Sequence, residues 1–451
     1  MDENKIKFGL AQKLWIRLCV FFVKSFYKNV EINGVNQLTE NTPIILCANH
    51  SNALADAVLL QYTTPRLIHP LARSGLFKNP FSGFILSIWQ AVPVYRRQDA
   101  EDSTVDNHSM FNKAYEMLAK NEILMIFPEG QSHSDHQIKQ IKTGISRIVL
   151  GYKDKYNQLP LVIPVGLNFS HIKKFRSNVY MNFGKAIEIN PEYKLNEEQD
   201  VKALTDDIMH SMRELIIETE EDDELSFAKQ LDRFFSLRNK TIRKRSMRQK
   251  FKSHKFILTV KHSLNDIVPE KVKSIQLHLR QFNRLCRKLG INDYNLNINY
   301  NSKIIRHFII KSLFVILISL PLGLFGLINS VTPYVLTKAA ELLFARKKDQ
   351  ADTVKILAAT LFFSIFWGIQ TQLVYQYFGG SIALVYFILL IPAALTALVI
   401  FHEQAQIIDN LKVFYIVLKH RNLRRFLIRK RKKLEKELAE LINIAKKNHK
   451  I

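Results

Sequence analysis

The spacing of apolar positions changes along this chain, and each change predicts a different kind of structure. Residues 8–30 carry Leu10, Leu14, Trp15, Leu18, Phe21, Phe22 and Phe26 at helical intervals, with Lys13, Arg17, Lys24 and Lys28 between them. Such a helix either lies in a membrane interface, aromatics down and cations toward phosphates, or packs on its own domain. From 31 to 220 short apolar runs alternate with amphipathic segments. The runs predict strands at 43–48, 67–72, 91–95, 123–127, 161–168 and 178–187, and the segments between predict helices near 53–61, 104–119, 143–156 and 197–218. That alternation specifies an α/β domain, a mixed, largely buried sheet flanked by helices, with chemistry expected where loops leave the strand ends.

Beyond 220 the expectation is helical. In 221–303 an acidic cluster at 220–224 leads into a basic helical stretch, 238–255, and an amphipathic one reaching about 289. Such charge runs form solvated faces or attract anionic headgroups. A membrane domain, 304–402, holds apolar segments at 312–336, 356–377 and 382–401. The last two are each long enough to cross about 30 Å of hydrocarbon, with Phe378-Gly379-Gly380-Ser381 as a hairpin turn between them. The first is interrupted by Pro321, Gly323, Gly326 and Pro333, and it has Lys303, Arg306 and Lys311 before it and Lys338, Arg346, Lys347, Lys348 and Lys355 after it. If both flanks are cytoplasmic it re-enters; a single crossing would place 346–355 outside. The tail, 403–451, predicts a basic amphipathic helix lying along the membrane face, with a coiled-coil partner helix at 434–444 as the alternative.

Charge narrows the partners. A net +25 over 451 residues requires a polyanion, and basic blocks beside long apolar runs select membrane phospholipids over nucleic acid. Cys19, Cys47 and Cys286 are scattered without metal-binding spacing, as expected for reduced thiols facing the cytoplasm. The first apolar stretch is interrupted by Arg17 and Lys24, unlike a signal peptide.

Candidate chemistry falls at the strand ends. The first run stops at Asn49-His50, and Asp56 is the only acidic residue between Glu40 and Asp99. The two are either a general base with its orienting carboxylate or a structural His beside a capping Asp. The strand at 91–95 exits into Arg96-Arg97-Gln98-Asp99, a bidentate phosphate clamp or a salt bridge to Asp99. The strand at 123–127 exits into Pro128-Glu129-Gly130-Gln131-Ser132-His133, where Glu129 either accepts a substrate hydroxyl or orients a base, or is solvated in a tight turn. Lys142-Thr143-Gly144 opens a helix whose amides add to an anion site, Lys142 being otherwise a surface charge. Pro164, inside an apolar run, marks an edge strand or the wall of an apolar groove. His133, Asp135 and His136 form a polar loop, with no metal expected.

In order and spacing these blocks resemble the glycerophospholipid acyltransferase family over about the first half of the chain. They stand as Asn49-His50-Ser51-Asn52-Ala53-Leu54-Ala55-Asp56, Pro93-Val94-Tyr95-Arg96-Arg97-Gln98-Asp99, Phe127-Pro128-Glu129-Gly130-Gln131-Ser132-His133 and Ile163-Pro164-Val165. The family's first motif has four residues between His and Asp, whereas this chain has five, Ser51 through Ala55. That longer spacing, with Asn52 in its middle, resembles the fungal-type glycerol-3-phosphate and dihydroxyacetone-phosphate acyltransferase branch, as does 322–357.

The resemblance implies that His50 deprotonates a glycerol hydroxyl for attack on a thioester while Asp56 orients the imidazole. Arg96, with Arg97 or Lys142, would hold the acceptor phosphate, Glu129 and Gly130 would shape the acceptor site, and Pro164 would line the acyl-chain wall. It implies an integral membrane enzyme acylating glycerol 3-phosphate or dihydroxyacetone phosphate, with acyl-CoA or acyl-acyl carrier protein as co-substrate and no bound cofactor or metal. Lysophosphatidic acid acylation and a catalytically silent lipid-binding protein are the rival readings. The expected location is multi-pass in the cell membrane with the catalytic domain cytoplasmic, and the short loops point to a bacterial inner membrane.

Overall fold

A computed structural model describes residues 9–78, 80–95, 108–132, 137–172, 176–219, 222–236, 245–289, 302–344, 351–419 and 421–448. The chain divides into two compact units, the first holding the α/β domain up to Asp222 together with Ser246–Phe251, the second most of the remaining helices.

In the first unit seven strands form one sheet, β1 (Asn29–Asn33), β2 (Ile44–Ala48), β3 (Ile68–Arg73), β4 (Val92–Val94), β5 (Ile123–Ile126), β6 (Leu161–Phe169) and β7 (Asn178–Phe183), in the order β1-β7-β6-β2-β5-β3-β4. All neighbours run parallel except β6 and β7. β2 and β5 are buried along their whole length, which their unbroken apolar runs require of a strand covered on both faces. Alternation divides them between two cores. Ile45, Cys47, Leu124 and Ile126 face α4 (His108–Ala119), α5 (Gly144–Tyr156) and α6 (Glu198–Glu214); Ile44, Leu46, Ala48, Ile123 and Met125 face α1 (Leu10–Phe26) and α2 (Leu54–Tyr62).

The six expected strands and four expected helices are all present, the last strand ending at Phe183 rather than 187. Two elements were not anticipated. β1 reads Asn-Val-Glu-Ile-Asn and finds its partner in β7 far along the chain, and α3 (Pro80–Ile88) is a short apolar stretch opened by Pro80 and interrupted by Ser82, Gly83 and Ser87. Of the two readings of Pro164 the edge strand does not hold, because β6 is interior, between β7 and β2. Its carbonyl accepts from Gly184 N at 2.8 Å on the β7 side, so its missing N–H faces that side too, one residue past the last rung, Val165 with Phe183.

α1 combines both expectations. Trp15, Cys19 and Val23 are buried on the domain, with Trp15 edge-on to Trp89 at 5.0 Å, while Leu10, Leu14 and Phe21 form a second apolar stripe 85%, 64% and 57% exposed. At the far sheet edge, Glu31 of β1 accepts the N–H groups of Met247 and Arg248 at 2.7 and 3.0 Å, satisfying the first turn of α8 (Met247–Ile267).

In the second unit α7 (Asp222–Ser236), α8, α9 (Pro269–Lys288) and α13 (Arg421–Asn448) share one core. Leu427, Leu434, Leu438 and Leu441 of the tail helix are buried in it, so the tail is a bundle helix and its apolar face is not free for a membrane. Arg431 is buried with them, its guanidinium over the Phe234 ring and bonded to Glu435 at 3.2 Å. Burial alone would raise the Asp232 carboxyl, but hydrogen bonds from His254, Ser253 and Arg245, and the Arg245 charge, lower it to about 2.

The remaining three helices, α10 (Ser302–Phe344), α11 (Ala351–Phe378) and α12 (Gly380–Lys419), contain stretches long and apolar enough to cross a membrane, Ser319–Phe344, Leu357–Phe378 and Gly380–Leu398. The break expected in the first does not occur, since α10 is continuous through Pro321 and Pro333. The reason is local. Pro333 deprives the Asn329 carbonyl of its helical donor, and Gln370 of α11 donates to that carbonyl at 3.3 Å while the Tyr386 hydroxyl of α12 donates to Asn329 Oδ1 at 2.6 Å. Gly326 lets α12 approach: a Cβ there would sit 2.0 Å from the Ala393 carbonyl oxygen.

Gln370→Leu removes the donor to the freed carbonyl and should lower stability in mixed micelles by roughly 0.6–1.7 kcal/mol, read from the midpoint of an unfolding titration. An unchanged midpoint would show that the bond contributes nothing. The depressed Asp232 carboxyl stabilises the folded state above its ordinary value of 3.8 and loses that contribution as pH falls toward about 2. Melting curves across that interval should therefore fall more steeply for the parent protein than for Asp232→Asn.

Candidate active site

The site begins where β2 leaves the sheet. Asn49 takes over the pairing that the backbone abandons, its Oδ1 accepting Leu167 N at 2.7 Å and its Nδ2 donating to Leu167 O at 3.2 Å. The next residue, His50, sits at the carboxyl end of a central parallel strand, the edge where such sheets mount their ligands.

Three donors converge on one oxygen of Asp56. Oδ2 accepts Ser51 N and Asn52 N at 2.7 Å each and meets His50 Nδ1 at 3.1 Å. Asp56 is fully buried in the first turn of α2, and its Oδ1 has no partner among the described residues. An oxygen already accepting two amides takes a third donor, so His50 carries its proton on Nδ1 and presents Nε2 as the basic atom, on a side chain 18% exposed. Between His50 and Asp56, Ala53 has φ of 41° with ψ of −126°, a sparsely populated backbone for any residue but glycine.

The loop after β5 fixes the same His from the other side. The Phe127 ring stacks on the imidazole at 4.0 Å and 16°. Glu129, 6% exposed, accepts His50 N at 2.9 Å through Oε1 and Lys139 N at 3.1 Å through Oε2. It therefore orients the base through its backbone. Gly130 adopts φ +71°, closing a turn in which its N–H bonds Phe127 O at 3.0 Å, and a Cβ there would meet the Lys142 stem at 3.3 Å. Lys142 N in turn bonds Pro128 O at 2.9 Å, so the exposed Lys142 lies over the same loop.

His50, Asp56, Glu129, Gly130 and Lys142 thus lie on the exit loops of β2 and β5 and the segment folded over them. Pro164 does not join them. It belongs to the Val162 side of β6, against Gly184 and Leu215 beside α6, whereas Phe127 packs with the α1–α2 core. Arg96 and Arg97, with Asp99, lie outside the described residues, as do His133, Asp135 and His136. Sequence reasoning passed over Asn49 and Phe127, whose signal was a polar residue ending a buried run and an aromatic ending its neighbour, and over Arg73, a guanidinium ending β3 on the same sheet edge.

Cys47 is next to the site and fully buried. Burial, with the charge of Glu129 adding to it, raises its thiol well above the ordinary range, and its Sγ lies against Met212 Sδ at 3.1 Å on the α6 side. Cys19 is likewise raised by burial, to about 12. The imidazole of His50 is thus held at three points, by Asp56, by Phe127 and, through its backbone, by Glu129.

Residues 29–167 match the acyltransferase family model. The chain carries an acyltransferase domain. Within it, 89 residues are 37% identical to glycerol-3-phosphate O-acyltransferase 1 of Saccharomyces cerevisiae, covering 20% of this chain and 12% of that protein. Glycerol-3-phosphate O-acyltransferase 2 of the same yeast is 31% identical over 90 residues, with the same 20% and 12% coverage. The matched part thus spans about an eighth of those relatives' length. Among solved structures, the 1-acyl-sn-glycerophosphate (LPA) acyltransferase of Thermotoga maritima is 17% identical, covering 45% of this chain and 78% of that one, with a TM-score of 0.32.

His50→Ala should abolish acyl transfer with the melting temperature unchanged, and retained turnover would remove His50 as the base. Asp56→Asn keeps an acceptor for the two amides while removing the charge facing the imidazole, so kcat should fall about 10²–10⁴-fold with the fold intact.

Proposed function

We propose that the protein is a membrane glycerolipid acyltransferase that moves a fatty acyl group from a thioester to a hydroxyl of glycerol 3-phosphate or dihydroxyacetone phosphate. The observation that carries this reading is the His50–Asp56 pair, held by Glu129 at the carboxyl edge of the sheet within the acyltransferase domain. Glycerol 3-phosphate is taken from the names of the yeast relatives, and dihydroxyacetone phosphate from the resemblance of the His-to-Asp spacing.

In the reaction His50 Nε2 takes the acceptor hydroxyl proton as the oxygen attacks the thioester carbonyl. The C–S bond breaks when the tetrahedral intermediate collapses, and the imidazolium returns the proton to the leaving thiolate, giving an ester and a free thiol. The buried Asp56 stabilises the imidazolium and holds its orientation. Phosphate recognition falls to Arg96, with Arg97 or Lys142, and to Arg73 at the end of β3. They place the hydroxyl beside Nε2 and lower the entropy cost of the step. Glu129 contributes by fixing His50 rather than by meeting substrate. The thioester is acyl-CoA or acyl-acyl carrier protein. The outer stripe of α1, Leu10, Leu14 and Phe21, enters the membrane interface from which the acyl chain arrives, and the domain faces the cytoplasm.

The test is acyl transfer by the purified full chain from labelled acyl-CoA, with glycerol 3-phosphate, dihydroxyacetone phosphate and lysophosphatidic acid supplied separately. Product from either of the first two, absent in His50→Ala, is expected; product from lysophosphatidic acid alone would overturn the acceptor assignment. Arg96→Ala should raise the acceptor KM with little change in kcat.

A further inference from the structure

The tail helix α13 carries two stripes on opposite faces. Leu427, Leu434, Leu438, Leu441 and Ala445 are buried in the bundle core. On the outward face Arg425, Arg429, Lys432 and Lys436 follow one another at helical spacing, with Lys433 beside them, and all five are exposed. The acids of the same stretch are turned to other partners: Glu435 meets Arg431 at 3.2 Å, Glu437 meets His278 at 2.9 Å and Glu440 meets Lys271 at 3.5 Å. Among the described residues no acid pairs with Arg429, Lys432, Lys433 or Lys436.

Like charges four residues apart destabilise a helix in water, and this stripe holds such pairs at 425/429, 429/433 and 432/436. A polyanionic surface reverses the sign of that term. The compact unit containing α13 also contains helices long and apolar enough to cross a membrane, so the polyanion nearest by construction is a headgroup layer. We propose that Arg425, Arg429, Lys432 and Lys436 form a binding face for anionic phospholipid headgroups. The contact is electrostatic and involves no insertion, because the apolar stripe that would insert is committed to the bundle. The inference is independent of the acyltransferase reading.

The three cysteines are buried, so a single Cys at the exposed Ala439, on the cationic face, can be labelled selectively. Full-length Ala439→Cys carrying a fluorophore is reconstituted in vesicles of phosphatidylcholine, with and without anionic phosphatidylglycerol, and quenched with a water-soluble collisional quencher. Anionic vesicles should protect the label, high salt should expose it again, and Arg425→Gln/Arg429→Gln/Lys432→Gln/Lys436→Gln should lose the protection. Arg425→Lys/Arg429→Lys should keep it. Each neutralised cation should weaken the attached state about fivefold, so single substitutions give the same answer if the quadruple variant melts early. Equal quenching in both vesicles, protection that survives in the quadruple variant, or protection appearing only when an acidic protein or RNA is added would each overturn the proposal.

Discussion

One carboxylate oxygen holds the active-site loop together. Oδ2 of Asp56 receives the amides of Ser51 and Asn52 and the ring of His50, so three consecutive residues are tied to a buried acid in the first turn of α2. Hydrogen bonds to a charged acceptor contribute roughly 1.5–3 kcal/mol each, enough to hold Ala53 in an uncommon backbone conformation that costs about 1–3 kcal/mol. With five residues between them His50 and Asp56 still meet, and Ala53 is the strained residue of that stretch. Removing the carboxylate would free the loop as well as the imidazole.

The two carboxylates of the site divide the work. Asp56 acts on the ring and Glu129 on the backbone of the same residue, so the imidazole is fixed in position and in tautomer before substrate arrives. Both acids are buried, Asp56 fully and Glu129 to 6% exposure. Lys142 lies over Gly130 and Arg73 ends β3 on the same sheet edge, cations that the proposed anionic acceptor requires.

The sheet was legible because its central strands are short apolar runs bounded by polar or Pro residues, and the His50–Asp56 pair because both members lie in one local stretch. What could not be read depended on distant partners. β1 is polar and becomes a strand only beside β7. The position of Glu129 in sequence does not reveal that its oxygens close on amides 79 and 10 residues away. The edge-strand reading of Pro164 failed because its missing donor matters only on the β7 side, and there β7 has already ended. The tail's amphipathicity was correctly seen, but a bundle core and a membrane interface make the same demand on an apolar stripe.

Both units solve one recurrent problem with one device. Wherever the backbone leaves regular pairing, a side chain remote in sequence supplies the missing partner: Asn49 for Leu167 at the end of β2, Glu129 for His50 and Lys139, Glu31 for the first amides of α8, and Gln370 for the carbonyl that Pro333 releases. In water an unpaired amide or carbonyl would be solvated, so such side chains would be replaceable. In a buried sheet end or among membrane-spanning helices it would not, and the free energy of leaving it unmet, about 1–3 kcal/mol, falls on the fold. The polar residues that look misplaced in apolar stretches of this chain are therefore those that permit its irregularities, and at the candidate site two of them, Asn49 and Glu129, converge.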